Sequence, residues 1–175
     1  RHIINDKYNI PLDRISIVHN GVDQLEFSPS DVRRVFPNDK IVLYVGRLTF
    51  QKGVEYFLKS AHQVLDTEPN TVFIVAGTGD IERRLIMESA RLGIGNRVIF
   101  TGFMQGQQLQ SLYRMANVFV MPSVSEPYGL VALEAVSTGV PTIISKQSGV
   151  SETLHSVSKV DFWDTHKIAK EIISI

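Results

Sequence analysis

The chain has 175 residues, 43% of them hydrophobic, which is near the size of one domain and enough to bury a sizeable core. Its 18 lysines and arginines balance 18 aspartates and glutamates, so no global basic field recruits nucleic acid or an anionic membrane, and any positive charge that matters is local. Cysteine is absent, which removes disulfides, thiolate metal sites and a cysteine nucleophile together and permits a reducing compartment.

Along the chain, short β-branched runs alternate with segments of helical period, the pattern of βαβ units around a parallel sheet. The first residues, RHIIND, carry no signal-like apolar core. Strands are predicted at Ile15–Val18, Lys40–Val45, Thr71–Ala76, Arg97–Thr101, Asn117–Met121 and Pro141–Ser145. Their apolar runs are strand-length and too short to span a bilayer, so no direct membrane insertion is expected. Helices fill the gaps. The clearest is Val54–Asp66, where Val54, Phe57, Leu58, Ala61, Val64 and Leu65 share one face while Glu55, Lys59 and Gln63 face water. Others are predicted near Asp80–Arg91, Gln107–Met115, Leu130–Ser137 and Thr165–Ile173. Pro37–Asn38–Asp39 reads as a loop, and Gly93–Ile94–Gly95–Asn96 as a helix C-cap and turn. No repeat, low-complexity tract or linker interrupts the pattern. The expected fold is α/β, one Rossmann-like three-layer sandwich with a mainly parallel sheet of about six strands. Right-handed crossovers bring the strand C-termini to one edge, which the loops carrying Arg47, Gly77, Gly102 and Glu126 all leave.

Glu126 to Glu134 reads EPYGLVALE, between an apolar run and a small-residue turn. Its two carboxylates bracket the point where a strand ends and a helix begins, the edge where open α/β sheets bind ligands. A helix starting near Leu130 leaves the amides of Gly129, Leu130 and Val131 unpaired, an anion site. Carboxylates accept hydrogen bonds from sugar hydroxyls, so a ligand with phosphate at its middle and hydroxyl-rich groups at both ends suits the motif, and a nucleotide sugar is such a ligand. The GR-x4-KG loop adds Gly46 for close backbone approach, Arg47 as a planar fork for phosphate oxygens and Lys52 as a point charge. Solvated loop charges are the ordinary fate of such residues, but a position directly after a buried strand argues for a ligand. Gly77–Thr78–Gly79 lacks the third glycine of a dinucleotide fingerprint, Glu82 standing there, and reads as a close-approach turn. The five histidines lack metal-ligand spacing and no Asp-x-Asp pair occurs, so no catalytic metal and no cofactor are expected.

These motifs, GRLTFQKG, HNGVD (His19 to Asp23) and the spaced glutamates, resemble the nucleotide-sugar-binding half of family 4 glycosyltransferases, retaining enzymes of the GT-B fold, from about Ile15 to about Glu152. The resemblance implies that Arg47 and Lys52 hold the donor diphosphate, with the amides of Gly129 and Leu130. It further implies that Glu126 contacts the transferred sugar, that Glu134 contacts the ribose, and that Phe103 and Met104 line the nucleobase. The implied donor is a UDP-, GDP- or ADP-sugar. The implied acceptor is bound by an N-terminal domain that this chain does not contain, so the chain alone is expected to be inactive. A cytoplasmic location follows, with any membrane association made through the other domain. The other readings are a binding-only nucleotide-sugar module and a sugar-nucleotide epimerase on the same fold. Beyond Glu152 the tail departs from the family's pattern, with no glycine after Gly149, which leaves the last strand and the interdomain helix unassigned.

Overall fold

The structure, a computed structural model, describes residues 1–30, 36 and 38–175. Its strands are β1 (Lys40–Val45), β2 (Thr71–Ala76), β3 (Val98–Gly102), β4 (Val118–Met121), β5 (Thr142–Ser145) and β6 (Ser158–Val160). Its helices are α1 (His2–Tyr8), α2 (Val54–Leu65), α3 (Glu82–Arg91), α4 (Gly106–Met115), α5 (Leu130–Ser137) and α6 (Thr165–Ser174). The six strands form one sheet in the order β3-β2-β1-β4-β5-β6, and every pairing is parallel. The expected α/β three-layer sandwich is what the chain builds.

Period-two alternation in β1 explains the layers. Val42 and Tyr44 enter one core with α2, α3 and α6, while Ile41, Leu43 and Val45 enter the other with α4 and α5. A strand buried on both faces must be apolar throughout, which is why KIVLYV and TVFIVA read as unbroken runs. Pairing runs outward from β1 to β2 and β3, then the chain crosses back and runs the other way through β4, β5 and β6. The order therefore reverses between β1 and β4, and a crevice opens outside their C-terminal ends.

Two expectations need correction. Ile15–Val18 is not a strand: it has no ladder partner among the described residues, and Ile17 and Val18 are exposed. A β-branched run forms a strand only where a pleated, half-buried surface receives it. The sixth place in the sheet belongs instead to β6, with Ser158, Lys159 and Val160 beside Ile143, Ile144 and Ser145 of β5. The unassigned tail thus supplies the last strand, and α6 packs on α2. Helix α1 was not anticipated; it buries no residue and stops at Asn9 in a left-handed conformation. Of the loop at Pro37–Asn38–Asp39, Pro37 lies outside the described residues, while Asn38 and Asp39 turn the chain into β1.

Candidate functional site

The loop after β1 is anchored at its middle. Leu48 is fully buried, its amide donates to the Thr78 carbonyl at 2.9 Å, and its own carbonyl accepts from Ile81 at 3.3 Å. This stitches the Gly-Arg loop to the turn after β2. Gly77 has φ +140°, and a Cβ there would sit 1.9 Å from the Gly46 carbonyl oxygen, so residues 77–79 form the close-approach turn that the sequence predicts. With Leu48 pinned inward, Arg47 is left exposed, and it makes no ion pair among the described residues.

The loop after β4 is held from the other side. The Glu126 carbonyl accepts from the Gly149 amide at 2.9 Å and the Tyr128 carbonyl from the Val150 amide at 2.7 Å, which ties the carboxylate loop to the loop after β5. Gly129 opens α5 with φ 113° and no side-chain cap. Among the described residues no hydrogen-bond acceptor meets the amides of Gly129, Leu130 and Val131, which leaves the helix N-terminus free for an anion.

Between these loops lies the crevice. One lobe, about 260 Å³, is lined by Gly46, Arg47, Gly77, Phe103, Met104 and Glu134, among others. An adjoining lobe, about 220 Å³, is lined by Tyr44, Arg47, Lys52, Ser123 and Glu126, among others. Val45, Gly46, Arg47 and Val131 border both. The crevice thus gathers the side chains of Arg47, Lys52, Phe103, Met104, Glu126 and Glu134. Gly129 and Leu130 line neither lobe; a Cβ at Gly129 would come 3.0 Å from Met121, and the Leu130 side chain is exposed, while Val131, next along α5, borders both lobes. A cavity of about 250 Å³ at the opposite edge of the sheet is mainly aliphatic, and its lysine, Lys40, is paired with Glu68 at 3.9 Å.

The two lobes differ in charge. Lys52 donates to Glu126, and their side chains are only 19% and 9% exposed, so each neutralises the other out of bulk water. Tyr44 lies beneath, its hydroxyl donating to the Arg47 carbonyl at 3.1 Å; burial first and the Glu126 charge second push its phenol far above the ordinary range, keeping it neutral. Glu134 makes no ion pair among the described residues. Its Oε2 accepts from the Tyr113 hydroxyl at 2.8 Å. Burial raises the Glu134 carboxyl above its usual range, Tyr113 opposes that, and Glu26 adds to it. Among the described residues no group of three His, Asp or Glu side chains is placed to hold a metal ion, and no helix is long and apolar enough to cross a membrane.

Comparison with known proteins agrees with this fold. A profile of the group 1 glycosyl transferases matches residues 30–174. The chain belongs to that family. An uncharacterised glycosyltransferase of Methanocaldococcus jannaschii is 37% identical over 164 residues, covering 87% of this chain and 42% of that protein. The C-terminal domain of a group 1 glycosyl transferase from Francisella tularensis superposes with a TM-score of 0.79 at 24% identity, over 88% of this chain and 87% of that one. An Anabaena protein solved in complex with UDP and glucose superposes with a TM-score of 0.81 at 22% identity, over 91% of this chain and 46% of that one. These superpositions give the GT-B glycosyltransferase C-terminal domain as the fold. This group 1 glycosyltransferase chain spans about two fifths of the length of the curated relatives it matches.

Several residues at this site escape a reading of motifs. Tyr113 and Tyr44 belong to an expected helix and an expected strand that carry no motif of their own. Ser123 is fully buried beside the Lys52–Glu126 pair, and its hydroxyl has no hydrogen-bond partner among the described residues. His19, by contrast, belongs to the HNGVD motif, and it stacks on Tyr128 of the carboxylate loop, ring centroids 5.8 Å apart. Tyr113 could not have been singled out from the sequence, because α4 also carries glutamine, serine and arginine donors and the pairing with Glu134 is tertiary.

Proposed function

We propose that this chain is the nucleotide-sugar-binding half of a retaining family 4 glycosyltransferase, which moves a sugar from a nucleoside diphosphate to an acceptor held by a separate N-terminal domain. The observation that carries this reading is the convergence, at the reversal of strand order, of two cations and a free helix N-terminus with two carboxylates on either side. In this reading Arg47, Lys52 and the amides of Gly129 and Leu130 hold the diphosphate and stabilise its charge as it leaves, without a metal ion. Glu126 orients the sugar, Glu134 holds the ribose, and Phe103 and Met104 border the nucleobase. The acceptor attacks on the face from which the diphosphate departs.

The Lys52–Glu126 pair fits this chemistry. A diphosphate takes over Lys52, and Glu126 becomes available to sugar hydroxyls. The reading places the protein in the cytoplasm, any membrane contact being made outside this domain. Calorimetric titration with UDP, GDP and ADP, each with and without an attached hexose, tests it. One base is expected to bind, unaffected by EDTA, with no sugar transfer by the chain alone. Failure of all three to bind, or a strict need for magnesium or manganese, overturns it.

A further inference from the structure

We infer that Tyr113 is a positioning residue for nucleotide binding: it holds one oxygen of Glu134 so that the other is presented to the ribose, an inference that rests on the ribose reading of Glu134 above. The hydroxyl donates to Glu134 Oε2 at 2.8 Å and lies 3.2 Å from the Val131 carbonyl. It has one proton, and the carboxylate is the stronger acceptor and the nearer one. Oε1 has no hydrogen-bond partner among the described residues, and Glu134 borders the lobe shared with Arg47 and Gly77.

The tyrosine cannot easily turn away. Its ring is fully buried between Phe27, edge-on at 6.0 Å, and Phe119, tilted at 5.8 Å. Helix α4 is in turn tied to the segment that carries Phe27. Arg114 donates to the Ser28 carbonyl at 3.1 Å and Gln110 to Glu26 at 3.1 Å. The 26–28 segment therefore acts on the crevice at one remove, by wedging Tyr113 against α5. The charged and titratable groups around Glu134 are Tyr113 from α4, Glu26 from that segment and Arg47 across the lobe. Burial disfavours the ionised carboxyl and Tyr113 favours it, so the same hydroxyl aims the acceptor and opposes the effect of burial.

Tyr113→Phe removes the hydroxyl and keeps the ring. The test is calorimetric titration of the wild-type protein, Tyr113→Phe, Glu134→Ala and the double variant. Whichever of UDP, GDP and ADP binds is compared with its 2′,3′-dideoxy analogue and with inorganic pyrophosphate. Tyr113→Phe is expected to weaken the ribonucleotide about tenfold and to leave the dideoxy analogue and pyrophosphate within error. The pH below which ribonucleotide affinity falls is expected to rise. Adding Tyr113→Phe to Glu134→Ala is expected to change nothing further, because the two act as one unit. Equal losses on all ligands in Tyr113→Phe, or none, while Glu134→Ala still separates ribose from dideoxyribose, overturn the inference alone. A Glu134→Ala variant that treats both sugars alike overturns the ribose reading and this inference with it. The double-variant cycle keeps the result readable if Tyr113→Phe lowers stability, since a fold defect persists in the Glu134→Ala background.

Discussion

Glu126 and Glu134 belong to one nine-residue motif and face one crevice, yet the protein has given them opposite kinds of partner. Glu126 is paired with the cation Lys52 on a neighbouring loop; Glu134 is paired with the neutral phenol Tyr113 on a neighbouring helix. A charged partner can be exchanged for another charge, such as a phosphate. A neutral donor locked in the core cannot be exchanged and can only orient. On the proposed reading, the contrast assigns release to one end of the crevice and fixed presentation to the other.

The largest effect is expected where the exchangeable pair is broken without replacement. Lys52→Ala strands a carboxylate that is 9% exposed, and should lower stability by about 3 kcal/mol in chemical denaturation. Replacing both partners together, Lys52→Met with Glu126→Leu, should recover most of that loss, and a double variant as unstable as the single would break the comparison at this end. Arg47→Ala comes next. Arg47 is exposed and without an ion pair among the described residues, so its loss should leave stability unchanged and weaken diphosphate binding by about 1.5 to 3 kcal/mol. Equal losses for phosphate-free nucleoside would remove it from the phosphate site. Glu126→Gln should do the reverse of an ordinary site mutation: with Lys52 released, bare nucleoside diphosphate should bind tighter by about 0.5 to 1 kcal/mol, while the extra affinity from an attached sugar falls. Weaker binding of both ligands would mean that Glu126 supports the loop and nothing more.

The smallest effect concerns pH. Burial raises the carboxyl of Glu134 in the folded protein, so the native state holds this proton more tightly than the unfolded chain does. Between the ordinary glutamate value and the raised one, stability should therefore fall as pH rises, while ribonucleotide affinity, which needs the carboxylate, should increase. Glu134→Gln should flatten both slopes. Slopes of the same sign in the wild-type protein would contradict the assignment.

What the sequence disclosed follows from what each element needs. β1 and β2 are buried on both faces, so their apolar runs were unmistakable, and the loops that leave them carry glycines whose backbone approach admits no side chain. The positions of Arg47, Lys52 and Glu126 were legible as loops that leave β1 and β4, and that of Glu134 as part of the helix that follows. β6 was hidden because a three-residue edge strand with Ser158 and Lys159 has no apolar signature, whereas Ile15–Val18 had the signature and no sheet to receive it. The partners of the glutamates were hidden because they are tertiary. Nothing local in α4 separates a tyrosine that fills the core from one that also aims a carboxylate 21 positions away.

At the reversal of strand order, Gly53 lies against the backbone of Pro122 so closely that a Cβ would come 1.9 Å from the carbonyl oxygen. The loop bearing the cations and the loop bearing Glu126 therefore touch through bare main chain, with no side chain between them to act as a cushion. Their separation is a fixed gauge. A side chain added at Gly53 would push the two loops apart and, with them, the Lys52–Glu126 pair that spans the contact.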